Sequence, residues 1–242
     1  MAAIDPDLLL RAYSIGVFPM SDSRDADEVF WVEPKRRAIL PLEGFRLSRS
    51  LRKTLRSGVF RVTADQAFAE VIRRCAGRKE TWINSEIEES FIRLHELRRA
   101  HSIECWKDGE LVGGLYGASL GGAFFGESMF SSATDASKVA LAWLVARLKV
   151  GGYRLLDCQF MTDHLRSLGA IEISQQDYLA MLSSALGVGD PAAAGAGAGA
   201  RGEEERAGEF GALDRLLAAD PARTVDSPAS GCVIAQLLVQ TS

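Results

Sequence analysis

Between Ala123 and Phe160 the chain reads as strand, helix and strand, and this run constrains the fold more than any other. Ala123 to Phe130 is an apolar strand. Thr134 to Val150 follows as a long helix, apolar at Val139, Leu141, Trp143, Leu144, Val145 and Leu148 and stopped by Gly151-Gly152. Tyr153 to Phe160 is the second strand. Two strands joined through a crossing helix run parallel, so the unit commits the chain to a sheet with a helix laid across one face.

Polar residues inside these strands mark a candidate site. Gly126-Glu127-Ser128 and Leu156-Asp157-Cys158-Gln159-Phe160 put acids and an amide into runs that otherwise read as buried. Residues two apart on a strand share a face, so Asp157 and Gln159 are expected to project together, with Leu156, Cys158 and Phe160 on the other side. A buried carboxylate is costly unless paired or hydrogen-bonded. Such a pair beside Glu127, on the neighbouring strand, therefore suggests a site. A strand-end carboxylate satisfied by its amide neighbour is the plainer reading of the same pattern.

The remaining segments surround this unit. Asp5-Pro6-Asp7 opens a short helix that ends at Gly16, and extended pieces at Val17 to Met20, Val29 to Val32 and Ala38 to Pro41 complete a small N-terminal domain, residues 1–41. Residues 42–186 form the main domain. Ser48 to Arg56 is a helix, Ala64 to Cys75 another, and a Ser85/Glu88 capping box opens a third that runs to about Arg99. Ser102 to Trp106 and Leu111 to Leu120 make a hairpin around Asp108-Gly109. Glycines in this meander suggest a close approach to the backbone. Ile171 to Ile173 is a last strand, and Ser174 to Asp177 caps a last helix. Residues 187–242 form a tail: Pro191 to Gly202 reads as a flexible Ala/Gly linker, Leu213 to Ala219 as a helix and Val233 to Val239 as an edge strand. This order describes an α+β fold whose sheet opens between its two central strands. It resembles the N-acetyltransferase-like (GNAT-type) acyltransferase superfamily fold.

Charge is distributed unevenly. Residues 1–186 carry 24 basic and 24 acidic side chains and residues 187–242 carry 4 and 8, so the net charge of −4 lies wholly in the tail. From Lys35 to Arg61 nine basic residues face only Glu43. On the helix from Ser48, Arg49, Arg52, Lys53 and Arg56 form one stripe and Leu47, Leu51 and Leu55 the other. A solvated face is the plainer reading of an isolated charge run. Lys35, Arg36, Arg37, Arg73, Arg74, Arg78 and Lys79 in flanking segments favour phosphate contact instead. No apolar run reaches the roughly 18 residues of a membrane span, and the N-terminus lacks a signal peptide's basic start, so a cytoplasmic protein is expected. Cys75, Cys105, Cys158 and Cys232 are too scattered for a Cys-x-x-Cys site and read as free thiols. His95, His101 and His164 lack metal-ligand spacing, so no metal is expected.

A resemblance sharpens this reading. Leu9-Leu10-Arg11-Ala12-Tyr13 with Gly16-Val17-Phe18-Pro19, Ser48-Arg49-Ser50-Leu51-Arg52-Lys53, Thr81-Trp82-Ile83, His101-Ser102-Ile103-Glu104, Gly113-Gly114-Leu115-Tyr116-Gly117, Gly126-Glu127-Ser128-Met129-Phe130-Ser131 and Asp157-Cys158-Gln159 occur in order. Together they resemble the leucyl/phenylalanyl-tRNA–protein transferase family over roughly Leu8 to Leu186. The resemblance implies an enzyme that moves Leu or Phe, and less well Met, from aminoacyl-tRNA to proteins bearing an N-terminal Arg or Lys, marking them for N-end rule degradation. It implies no cofactor. It gives Gln159 the task of holding the acceptor amine, Asp157 that of orienting and polarising Gln159, and Glu127 a place in the same cavity. Leu115, Phe124, Leu144 and Leu156 match positions of an apolar pocket, although apolar spacing fits plain core equally well. Trp82 matches an aromatic that stacks on the terminal adenine, with a packed loop anchor as the alternative. Met20 stands where relatives often carry an aromatic, and Trp31 is the substitute at hand. The other class is a coenzyme A-dependent N-acyltransferase. The turn Ser131 to Lys138 argues against it, having no glycine and an acid where a pyrophosphate would sit.

Overall fold

A computed structural model of the chain describes residues 3–187, 207–219 and 228–239. Helix α1 (Pro6–Ser14) starts where the Asp5 carboxylate accepts the Leu8 N–H at 2.9 Å. Strands β1 (Phe18–Met20) and β2 (Phe30–Val32) form a small antiparallel pair. The next strand, β3 (Arg36–Ile39), leaves that pair and enters the main sheet, so the segment up to Pro41 shares its last strand with the main domain. Helix α2 (Arg49–Ser57) has the expected two stripes: Ser48 caps it, Gly58 at φ +65° ends it, and Leu51 and Leu55 are its buried face.

The expected helix from Ala64 is instead strand β4 (Arg61–Ala64) followed by helix α3 (Phe68–Ala76). Asp65 accounts for the break. Its φ of +59° stops the strand without starting a helix, and its carboxylate holds the Ser102 N–H at 2.9 Å. Helix α4 (Ser85–Glu96) is capped by Asn84 rather than by a Ser85/Glu88 box, with the Asn84 side chain accepting the Ile87 N–H at 2.9 Å.

Strands β5 (Ala100–Lys107) and β6 (Glu110–Leu120) form the hairpin, turned by Asp108 and Gly109 at φ +53° and +82°. Strand β7 (Ala123–Ser131), helix α5 (Ala136–Val150) and strand β8 (Leu155–Gln159) are the crossover unit. Helix α6 (Asp163–Ser167), strand β9 (Ile171–Ser174) and helix α7 (Gln175–Ala185) complete the domain. The seven strands lie in the order β4-β5-β6-β7-β8-β3-β9, every neighbour antiparallel except β7 and β8. The close approach expected at the glycines is made by the chain itself: a Cβ on Gly113 would come within 2.5 Å of the Ala136 side chain, so β6 meets the start of α5 almost without spacing.

Apolar cores fill both faces of the sheet. One holds Leu9 of α1, Phe68 of α3, Phe91 of α4 and Leu182 of α7. The other is built around α5, with Leu51 and Leu55 of α2. The tail packs on this second core through helices α8 (Ala212–Ala218) and α9 (Pro228–Leu237). Two expectations are corrected by this packing. Val233 begins no edge strand but lies inside α9, because a seven-residue apolar run does not by itself separate strand from buried helix. The described parts of the tail are docked rather than loose, whereas the Pro191 to Gly202 run lies outside the described residues. Gly231 lets α9 approach α2 so closely that a Cβ there would fall 1.9 Å from the Leu55 carbonyl oxygen. Buried Arg147 on α5 donates to both carboxylate oxygens of Asp214 at 2.6 Å and to the Phe210 carbonyl at 2.8 Å. Helix α5 is buried nearly all round because α8 and α9 cover what the sheet leaves open.

Candidate active site

Strands β7 and β8 pair only from Ala123 to Phe125 and from Leu155 to Asp157. Beyond that point β7 stays with β6 and β8 with β3, so the two parallel strands separate. A cavity of about 400 Å³ opens between them, within the size range of small-molecule sites. Leu115, Met129, Leu141, Leu144, Leu156 and Leu165 give it apolar walls. The more exposed Arg78, Trp82 and Phe160 stand at its mouth. Glu127 and Gln159 enter from the two parted strands.

Asp157 and Gln159 are brought together, but not as strand alternation predicts. Gln159 has φ +57°, a left-handed conformation that costs a non-glycine residue about 1–3 kcal/mol. This breaks the two-residue period, so Gln159 lines the cavity beside Leu156 and Cys158 while Asp157 lies behind the wall, 0% exposed. Asp157 reaches Gln159 through the backbone, accepting its N–H at 2.8 Å, rather than through the side-chain amide. The Arg37 guanidinium donates to both Asp157 oxygens, at 2.9 and 2.5 Å, and to the Gly16 carbonyl at 2.9 Å. It lies between the Phe18 and Tyr178 rings, 4.7 and 4.4 Å from their centroids, and the Tyr178 hydroxyl donates to Asp157 at 2.8 Å. This fully bonded cluster holds the strained Gln159 backbone.

Glu127 is placed for chemistry. Its Oε1 accepts from the Tyr13 hydroxyl at 2.6 Å and from the Gln159 amide at 2.8 Å, whereas its buried Oε2 has no partner among the described residues. Burial pushes its pKa from 4.5 to about 8, against the Tyr13 hydrogen bond, which favours the charged form. Tyr116 OH and His164 Nε2, also on the cavity, are likewise buried without a partner. Unsatisfied buried polar atoms are uncommon in native structures. Three around one apolar cavity describe a site awaiting polar groups from a ligand. Burial, helped by the Lys138 charge, lowers the His164 pKa and keeps that ring neutral. Cys158 shares the wall, but burial pushes its thiol up, so it offers no thiolate nucleophile.

Other sequence candidates divide. Leu115, Leu144, Leu156 and Trp82 line the cavity. Phe124 does not: it is fully buried against Phe210 and Tyr153, where it is plain core. Arg49, Arg52, Lys53 and Arg56 border a separate depression of about 440 Å³. Of the flanking cations, Arg37 is unavailable to phosphate as the buried partner of Asp157, while at the surface Arg36 pairs with Glu172 and Arg73 and Arg74 share Glu70. Leu141 was legible as one helical turn from Leu144. Nothing in the sequence distinguishes Arg37 from its exposed neighbours. No described helix is long and apolar enough to cross a membrane. Among the described residues no group of three His, Cys, Asp or Glu side chains is arranged to hold a metal.

Comparison with known proteins fits this geometry. Residues 39–183 match the family model described as leucyl/phenylalanyl-tRNA protein transferase, and residues 2–35 match the model of that family's N-terminal domain. A relative from Rhizorhabdus wittichii named leucyl/phenylalanyl-tRNA–protein transferase is 64% identical over 250 residues, covering 100% of both chains. Relatives of the same name are 56% identical in Novosphingobium aromaticivorans, covering 99% of this chain and 97% of the relative, and 64% identical in Zymomonas mobilis, covering 76% and 70%. A solved structure of L-PGS from Bacillus licheniformis aligns with a TM-score of 0.37 at 15% identity, over 69% of this chain and 56% of that one, too distant to bear on the fold. With both parts of the chain matched and relatives this similar along its whole length, the chain belongs to the leucyl/phenylalanyl-tRNA–protein transferase family.

Proposed function

We propose that this chain transfers Leu or Phe, and less well Met, from aminoacyl-tRNA to the N-terminal Arg or Lys of acceptor proteins, marking them for degradation. One observation carries the reading: an apolar cavity in the parting of β7 and β8 ends at an acid–amide pair whose remaining carboxylate oxygen has no partner among the described residues. That parting also supports a GNAT-like acyl-transfer fold. The donor's Leu or Phe side chain occupies the apolar walls, its ester carbonyl lies beside Glu127 and Gln159, and Trp82 stacks on the terminal adenine. The acceptor's α-amine forms a bond to the ester carbon, and the bond to the ribose oxygen breaks. An ester is already activated and an α-amine has a pKa of about 7.7–8.0, so orientation and a matched base suffice. Glu127, with a pKa near that of the amine, accepts the amine proton and passes it to the departing ribose oxygen. Gln159 holds the amine, and Asp157 is a positioning residue that fixes the Gln159 backbone.

Incubation with radiolabelled Leu-tRNA and an Arg-starting peptide labels the peptide. Intact Leu-tRNA with no labelled product rejects the assignment. Coenzyme A is the other donor class, and Asp135 speaks against it. At φ +66° it is the N-cap residue of α5, paired with Lys138 at 2.8 Å, a carboxylate where an anion would need free N–H groups.

Two substitutions test the parts. Leu115→Trp fills the cavity and selects against Phe, lowering kcat/KM with Phe-tRNA about 10-fold or more relative to Leu-tRNA. Equal use of both donors moves the pocket elsewhere. On α2, replacing Arg49, Arg52 and Lys53 together with Ala weakens tRNA binding and flattens the slope of log K against log salt by up to about 3. An unaltered slope removes that helix as the docking face.

A further inference from the structure

Arg78 is the cation at the mouth of the cavity, and no step of the proposed transfer uses it. It follows α3 closely and is held from two sides: its Nε donates to the Cys75 carbonyl at 3.1 Å, and one Nη donates to the Ser128 hydroxyl at 2.6 Å. No carboxylate pairs with it among the described residues, in contrast to Arg73 and Arg74 one turn earlier, both tied to Glu70. A guanidinium has five N–H donors in a planar fork. Two are occupied here, and the others have no acceptor among the described residues. Its surroundings exclude several tasks. The apolar walls have no use for a cation, and the incoming acceptor terminus carries positive charge of its own. Trp82, four residues along, lines the same cavity. An aromatic side chain and a guanidinium without a carboxylate partner on one cavity suit a base and the phosphate attached to its nucleoside.

We propose that Arg78 binds the phosphate linking the terminal nucleoside of aminoacyl-tRNA to the rest of its 3′ strand, and so sets how deeply the aminoacyl ester enters the cavity. This rests on the transferase reading and extends it to one atom group of the donor. The contact is separate from the α2 cations, which border a different depression. It involves the last phosphate alone, so a donor consisting of a single nucleotide reports it.

The test compares two minimal donors, 3′-leucyl-adenosine and 3′-leucyl-adenosine 5′-monophosphate, with an Arg-starting peptide as acceptor. The wild-type protein favours the phosphorylated donor by about 10- to 100-fold in KM, the range of one charge-assisted contact. Arg78→Ala abolishes that preference, and Arg78→Lys restores part of it. Arg78 is exposed, so neither substitution threatens the fold, and far-ultraviolet circular dichroism checks this. If Arg78 only braces Ser128 and the end of α3, its loss affects both donors alike and the preference survives, which overturns the proposal. A wild-type protein that uses aminoacyl-tRNA but shows no preference between the minimal donors overturns it as well, leaving the transferase reading intact. A protein that labels the peptide from none of the three donors rejects both.

Discussion

Replacing Glu127 with Gln lowers the transfer rate by about 10²- to 10⁴-fold, the usual contribution of a positioned base, while making the protein harder to unfold near neutral pH. Opposite signs are expected because the site keeps an ionisable group where burial opposes its charge. The isosteric amide still accepts from Tyr13 and Gln159, so geometry is retained and only the proton-accepting oxygen is lost. The sign of the stability change follows from linkage. Glu127 has a folded pKa of about 8 against an ordinary 4.5, so between those values the folded state binds more protons than the unfolded one. Wild-type stability therefore falls as pH rises through that window, by at most about 1.4 kcal/mol per pH unit. The variant lacks this slope. Denaturant titrations from pH 4 to 9 should show the stability gap widening between about 4.5 and 8 and level outside it. The kcat profile of the wild type should rise through about pH 8, a limb missing from the variant. Transfer by the variant within twofold of wild type at pH 7.5 removes Glu127 as base.

Replacing Arg37 with Met destabilises the fold by about 3–5 kcal/mol, because it leaves the Asp157 carboxylate buried with its strongest partner gone. Both side chains are essentially inaccessible, at 1% and 0%. Water cannot take the missing role without opening the core formed by Phe18 and Tyr178. The double variant Arg37→Met with Asp157→Leu recovers most of the loss, since an apolar pair of similar volume avoids the cost of desolvating two ions. Activity does not return with stability. Without Asp157 the Gln159 N–H loses its acceptor, the left-handed conformation loses that restraint, and the amide is displaced from Glu127. Urea denaturation reads the first effect and peptide labelling the second. A single variant that loses less than 1 kcal/mol, or a double variant with full activity, shows that the cluster does not support the site.

The contrast between Glu127 and Asp157 illustrates what periodicity reveals. Both strands, the crossover helix and the polar interruptions were legible, because apolar spacing reports which residues face a core. The sequence also carried Leu115, Leu144, Leu156 and Trp82, each of which lines the cavity. Phe124 had the same pattern and is core, since spacing specifies a face and not whether that face meets protein or empty space. Arg37 stood in a basic run and was counted among surface cations. Lys35 and Arg36 before it are exposed, and the residue that neutralises it is 120 positions away.

By itself the sequence determined the β5–β6 hairpin, the parallel β7–β8 pair with its crossover helix, the two-sided α2 and family membership, all set by local patterning and by motifs read in order. Tertiary structure alone decided three things. The sheet parts after Phe125, the backbone turns left-handed at Gln159, and the tail closes over α5 as two helices. Each depends on contacts between residues far apart in the chain, where packing and buried charge pairing outweigh the local preferences that a sequence pattern records.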